Sequence, residues 1–134
     1  MIDIQSELFT KIATAVRAQF SNAFVTPEYV SRPPKFPTVF IQEVENTVDR
    51  AYMDSGAVEN CADLVYQVDV YSDRGKGKMD ECRTIAAYVD AQFAHYGFVR
   101  SFVNQVPNLN DATVYRITAR YRAVVDKNKY IYRR

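Results

Sequence analysis

The chain has 134 residues, of which 48% are hydrophobic and 25% are charged, a composition that supports one folded domain and argues against disorder. Its formal net charge of +1 excludes the strong overall positive field that attracts nucleic acid. With two cysteines and one histidine, the chain fits neither a disulfide framework nor a zinc site, so we expect no metal and no cofactor.

The first predicted element is an amphipathic helix near the N-terminus. Apolar residues recur there at a spacing of four: Ile4, Leu8, Ile12, Val16 and Phe20. Asp3 is a suitable N-cap for this helix. An extended piece over residues 24–30 contains Pro27 and is therefore predicted to be an edge strand or a loop. Prolines between 33 and 37 then impose an extended path.

Two strands separated by a long loop are predicted next. Residues 38–44 alternate, with Val39 and Ile41 on one face. Residues 45–60 have few periodic apolar positions, which predicts a long loop or a hairpin tip. Residues 64–71 form the clearest strand, with Gln67 and Asp69 opposite the apolar face.

A second helix and two more strands complete the predicted elements. The helix spans residues 78–96, and Gly97 is placed to end it in a left-handed cap. Its predicted apolar stripe consists of Met79, Cys82, Ala86, Val89 and Phe93. Strands follow at 98–106 and 113–125, joined by a turn at 108–111, and residues 130–132 are suited to a short edge strand. The order predicts an α+β fold: a single domain over residues 1–134, with a mainly antiparallel sheet of four to five strands packed against two amphipathic helices.

No residue pattern indicates catalysis, and we expect that the protein is not an enzyme. His95 has no nucleophile or orienting group assigned by the sequence, and it is suited to a surface position near a helix C-terminus. Cys82 lies on the apolar stripe of the second helix, and no specific base accompanies either cysteine. Residues 75–78 (GKGK) lack the spacing of a nucleotide-binding loop and predict a flexible turn.

One polar constellation stands out on the last long strand. Arg116, Arg120 and Arg122 share one face of it, where a row of arginines can bind phosphate or the carboxylates of another subunit. The alternative is a solvated face with cross-strand ion pairs, in which scattered carboxylates balance these arginines.

Four segments together carry a resemblance to a known family. They are the proline-rich approach at 33–41 (PPKFPTVFI), the strand at 68–72 (VDVYS), the strand at 115–121 (YRITARY) and the ending at 130–133 (YIYR). In this order, after an N-terminal amphipathic helix, they resemble the tail terminator (tail completion) and minor capsid proteins of the head–tail gene cluster of long-tailed phages and prophages.

The resemblance implies a structural protein of the virion tail or neck, assembled in the host cytoplasm. It implies a homo-hexameric ring that binds the tail tube protein, stops growth of the tube and joins it to the head–tail connector protein. DNA would pass through the ring only as cargo. The acidic N-terminus and the lack of a run of about 18 apolar residues also predict no signal peptide and no membrane association.

Candidate contact residues follow from this implied role. Arg116, Arg120 and Arg122 are candidates for a subunit interface or for the channel wall. Tyr52, Met53, Asp54 and Val58 lie in the predicted long loop and are candidates for binding a partner. Two alternatives stay open: a head-closure or connector-adaptor neck protein, and a small nucleic-acid-binding domain that uses the arginine strand.

Overall fold

The computed structural model describes residues 1–30, 33–48, 60–107 and 112–132. Its first helix, α1, spans Gln5–Gln19 and buries one apolar stripe: Leu8, Ile12, Ala13 and Val16. Ile4 occupies the N-cap position, one residue later than predicted, while the Asp3 carboxylate accepts a 3.0 Å hydrogen bond from the Gln5 backbone N–H. Asp3 therefore still satisfies one of the free amides at this helix start.

Six strands and a second helix follow, in the order β1 Phe24–Thr26, β2 Thr38–Val48, β3 Cys61–Ser72, α2 Lys78–His95, β4 Val99–Gln105, β5 Tyr115–Asp126 and β6 Ile131–Tyr132. A single 3-10 turn, Gly75–Gly77, leads into α2. Gly97 ends α2 with a positive φ of 93°, as the sequence predicts.

The strands form one sheet in the order β1-β2-β3-β5-β4, and β6 pairs with β5 beyond the end of β4. Only the short β1–β2 pair is parallel, while the β2–β3, β3–β5 and β4–β5 pairs are antiparallel. Strands β3 and β4 run in the same direction on either side of β5, so α2 makes the crossover between them. The predicted α+β fold is confirmed, with six strands in place of four to five.

Both helices cover the same face of the sheet, which we call the inner face. Its core includes Ile41 of β2 and Val68 of β3, together with the predicted stripe of β5: Tyr115, Ile117, Ala119, Tyr121 and Ala123. Against these strands the α2 residue Phe93 stacks on Tyr121, with 4.4 Å between ring centroids. An aromatic cluster therefore fixes α2 on the sheet.

Two predictions, one about β2 and one about α2, are wrong. Residues 45–48 belong to β2 and pair with residues 62–65 of β3, so the strand continues past a bulge at Val44 where a loop was predicted. Met79 is 49% exposed and does not join the α2 stripe, in which Ile85 is buried instead. Residues 108–111, predicted as a turn, and most of the predicted loop lie outside the described residues.

Candidate functional site

The outer face of the sheet, opposite the helices, holds the arginines that the sequence singles out. The register places Arg116 beside Tyr71, Thr118 beside Asp69, Arg120 beside Gln67 and Arg122 beside Val65. Residues on directly opposite positions of an antiparallel pair share a face, so the β5 arginines and the polar residues of β3 form one surface.

Asp69 is the centre of this surface. Its side chain is only 1% exposed, and one carboxylate oxygen accepts bonds from Arg116 Nε at 3.1 Å and Arg116 Nη2 at 2.9 Å. The same oxygen accepts a bond from the Thr118 hydroxyl, and the second oxygen accepts one from the Gln67 amide at 3.1 Å. The carboxylate is therefore fully engaged by donors, which a buried charge requires.

The other two arginines have weaker partners. Arg120 donates from Nε to the Gln67 side-chain oxygen at 3.0 Å, and its guanidinium carbon lies 5.9 Å from the centre of the Phe102 ring on β4. Arg122 lies 3.7 Å from a Glu45 oxygen, with both side chains more than half exposed. Exposed pairs of this kind contribute little to stability. The outer face thus has a tightly held end at Arg116 and a loosely held end at Arg122.

Aromatic side chains cover the tightly held end. Arg116 lies over the Tyr71 ring with its guanidinium carbon 5.5 Å from the ring centre, and Tyr29 packs on Phe40 with 6.0 Å between ring centroids. Burial raises the pKa of the Tyr71 hydroxyl, and the neighbouring Asp69 carboxylate raises it further. At the start of β2, the Thr38 hydroxyl donates to the Lys35 carbonyl at 2.7 Å, which ties the strand to the segment before it.

Two lengths of strand at opposite sides of the sheet have a strand neighbour on one side only, among the described residues. One is β4, whose seven residues are all exposed. The other is the second half of β2, because β1 pairs only with residues 38–40 of that strand. Five large apolar side chains stay exposed on these edges: Val44 and Val48 on β2, and Val99, Phe102 and Val103 on β4. Unprotected strand edges are sites where another chain can pair.

The remaining edge, on β1, is protected. Arg17 of α1 donates from Nη2 to the Val25 carbonyl at 3.0 Å, so an outward-facing acceptor of this strand is already satisfied. The strand has only three residues and Pro27 follows it. Short strands, arginine and proline are all means by which sheets avoid pairing with other chains.

A half-buried carboxylate lies on the inner face. Glu43 accepts a 3.1 Å hydrogen bond from the Tyr66 hydroxyl. Burial raises the pKa of Glu43, the Tyr66 hydrogen bond partly opposes this, and the nearby Asp3 charge adds to it. Beside it, the Asn46 amide donates to the Ile2 carbonyl at 2.8 Å, which ties the N-terminal residues to β2.

The other candidates from the sequence have structural roles in the described chain. His95 is exposed at the end of α2, beside the Tyr96 ring. Burial raises the pKa of the Cys82 thiol to about 12, whereas Cys61 is half-buried at the start of β3. Lys78, the first residue of α2 after the glycine-rich turn, donates from its ammonium group to the Thr113 carbonyl at 3.1 Å.

The described residues also line two clefts away from Asp69. A cleft of about 490 Å³ opens between the end of α1 and the start of α2, where Arg74 lies 3.3 Å from Glu81. A smaller one, of about 190 Å³, lies beside Glu45, Asp63 and Arg122. Within residues 1–30, 33–48, 60–107 and 112–132, no three His, Cys, Asp or Glu side chains are grouped to hold a metal ion.

The sequence correctly predicts that Arg116, Arg120 and Arg122 share one face of a strand. It predicts that carboxylates balance the arginines, and Asp69 and Glu45 do so, but Asp69 is buried where a solvent-facing charge was expected. The predicted partner-binding residues Tyr52, Met53, Asp54 and Val58 lie outside the described residues. The exposed Phe102 and Val103 were missed as contact candidates. Their signal is a pair of adjacent apolar residues in a strand without lysine, glycine or internal proline.

No protein-family model matches the chain, and no curated protein matches it. In the part of the chain that the structure describes, no helix is both long enough and apolar enough to cross a membrane.

Proposed function

We propose that this protein is a structural subunit of a long-tailed phage or prophage virion, which forms a ring that ends growth of the tail tube and joins the tail to the head connector. Its partners are other copies of itself, the tail tube protein and the connector protein, and DNA passes through the ring as cargo. The proposal places the protein in the tail or neck of the virion after assembly in the host cytoplasm. It assigns the chain no catalytic activity and no cofactor.

One observation carries the proposal beyond the resemblance of the sequence. Among the described residues, the sheet has an unpaired edge on each side, at β4 and at the second half of β2, and the two edges differ in sequence. A cyclic ring requires that one surface of a subunit meets a different surface of the next copy. Two unlike open edges on opposite sides of one subunit support that kind of assembly.

The arginine row supports contact with protein better than it supports binding to nucleic acid. Arg116 is held by the buried Asp69, and Arg122 lies beside Glu45. Arg120 alone of the three has no carboxylate partner among the described residues. With a net charge of +1, the chain has little excess positive charge to release counterions from DNA.

The test is the oligomeric state of the purified protein and its binding to tail tubes. We expect light scattering over a concentration series to give a mass six times that of the 15.4 kDa chain, with rings around a central hole in negative-stain images. Added tail tubes should carry the protein at one end only.

The same assay separates the alternatives. Binding to purified connectors without binding to tubes would make the chain a head-closure or adaptor protein. A monomer that binds neither tubes nor connectors would contradict the proposal. Salt-dependent binding to DNA by such a monomer would favour the nucleic-acid alternative.

A further inference from the structure

We infer that copies of this chain join head to tail through their sheets, with strand β4 of one copy pairing antiparallel with the second half of β2 of the next copy. The inference rests on the proposed ring and names the contact that holds it together. The result is one sheet that continues from copy to copy.

The backbone groups needed for this pairing face outward. The Val106 N–H donates to the Arg116 carbonyl at 3.0 Å, so Val106 faces β5. Because successive residues of a strand face opposite sides, Asn104 also faces β5, whereas Val103 and Gln105 present their backbone groups to the open edge.

The same alternation, followed across the sheet, defines the outward groups of β2. Along β5, residues whose backbone groups point toward β4 alternate with residues whose backbone groups point toward β3. Because the β3–β5 register has no bulge, the backbone groups of Val65 and Asp63 on β3 point toward β2. Their partners Glu45 and Thr47 face β3 in return. Asn46 and Val48 therefore present their N–H and C=O groups to the open side.

The side chains select one register. Both strands are bulged, at Val44 and at Ser101, so the regular stretches are residues 45–48 and 102–105. Placing Val103 opposite Val48 puts two exposed valines, 37% and 38% accessible, against each other on the inner face. Gln105 then lies opposite Asn46, and Asn104 opposite Thr47, so polar residues meet polar residues.

Strand direction agrees with this arrangement. Since β4 runs parallel to β3 and β3 runs antiparallel to β2, copies related by rotation about an axis roughly along the strands bring β4 and β2 together antiparallel.

Proline substitutions at the outward positions test the inference. V103P and V48P each remove one outward N–H without removing a hydrogen bond inside the copy, because neither N–H faces the neighbouring strand. At a protein concentration only just sufficient for wild-type rings, each variant alone should be mainly monomeric, because one lost hydrogen bond weakens association on the order of tenfold. An equimolar mixture of V103P and V48P should form a one-to-one dimer, because the intact β2 edge of V103P can pair with the intact β4 edge of V48P.

V103A and V48A serve as matched controls, since they shorten the same side chains and keep the N–H. Sedimentation measures the association, and circular dichroism with chemical denaturation checks that each variant folds. If V48P alone still dimerises while V103P does not, two β4 edges pair with each other and the inference is wrong. If both proline variants still form rings, a different surface holds the ring, while the proposed function stands.

A wild-type chain that stays monomeric at every concentration would also overturn the edge pairing, and the proposed function would then depend on tube binding alone. A cysteine pair gives a second readout that does not depend on proline. In a Cys61→Ser background, mixed V103C and V48C should form a disulfide between copies, because paired strands bring Cα atoms to about 5.5 Å. Cross-linking within either variant alone, and not in the mixture, would contradict the register.

Discussion

At the scale of single residues, Asp69 organises the outer face. It is the one buried carboxylate of the described outer face, and four hydrogen bonds from Arg116, Thr118 and Gln67 converge on it. The network extends to Arg120, because the Gln67 side-chain oxygen accepts a hydrogen bond from Arg120 Nε. One buried charge thus positions two of the three arginines of β5, and their orientation depends on it.

We expect Asp69→Asn to destabilise the protein by about 3 kcal/mol, because Arg116 loses its counter-charge and an amide N–H₂ turns toward existing donors. Chemical denaturation followed by circular dichroism measures the change. The matched control is Glu45→Gln at the exposed pair with Arg122, for which a loss within about 0.5 kcal/mol is expected. Equal effects of the two substitutions would contradict the central role of Asp69.

Glu43 gives a prediction that depends on pH. Because burial raises its pKa above the ordinary value of 4.5, its stabilising contribution is complete below that value and is lost as the pH rises through the folded-state pKa. We expect Glu43→Gln to be more stable than the wild type at pH 7, since glutamine still accepts the Tyr66 hydroxyl bond without a buried charge.

The advantage of Glu43→Gln should disappear below about pH 4, where the wild-type carboxyl is protonated in both states. Denaturation curves of the two proteins from pH 3.5 to 8 measure this difference. A variant that is less stable than the wild type at pH 7 would show that the ionised carboxylate stabilises the fold.

At the scale of elements, the end of α2 controls how β4 leaves the helix. Gly97 N–H donates to the Ala94 carbonyl at 3.1 Å and Phe98 N–H donates to the Phe93 carbonyl at 2.9 Å, which is the Schellman arrangement. The Phe93 and Phe98 rings meet edge to face at 5.4 Å. This cap turns the chain directly into β4, so the position of the open edge depends on Gly97.

Three glycines allow a graded test of the cap. Gly97→Ala should cost about 2 kcal/mol, because its φ of 93° disfavours a side chain and the new Cβ would lie 3.0 Å from Ile131 Cγ2. Gly75→Ala has a φ of 63° but meets nothing within 4 Å, so only about 1 kcal/mol of backbone strain is expected.

Gly77→Ala is the control for the other two, since it lacks a positive φ and meets only the Arg74 side chain at 3.4 Å. Its effect should stay within about 0.5 kcal/mol. Thermal unfolding ranks the three variants. If Gly97→Ala is no worse than Gly75→Ala, the contact with Ile131 relaxes and the cap is not a fixed point.

At the scale of the whole molecule, local patterns predict the elements but not their neighbours. The alternation of Leu64, Tyr66, Val68 and Val70 predicts both β3 and its buried face, and the four-residue spacing of α1 predicts its stripe. These features depend on side-chain period alone. Residues 45–48 were predicted as loop because Glu45, Asn46 and Thr47 lack apolar alternation, and they become strand only through pairing with β3.

The candidate site was predictable to the same extent. The face shared by Arg116, Arg120 and Arg122 follows from alternation along one strand. The partners of these arginines depend on the register between β3 and β5, where Arg116 reaches a carboxylate 47 residues earlier in the chain. The open edges of β4 and β2 likewise depend on strand order, which no local pattern specifies.

The position of β5 in the sheet has a consequence for synthesis of the chain. It follows β4 in sequence yet lies between β3 and β4, and β3 and β4 have no direct pairing in the described sheet. Until β5 is synthesised, β4 lacks the strand with which it pairs in the described sheet, and β3 lacks its neighbour on one side. The long-range pairs of β5 with β3 are therefore late events in folding. Before they form, β5 of a neighbouring nascent copy can pair with β3 instead, so strand exchange between copies is the expected route to misfolding.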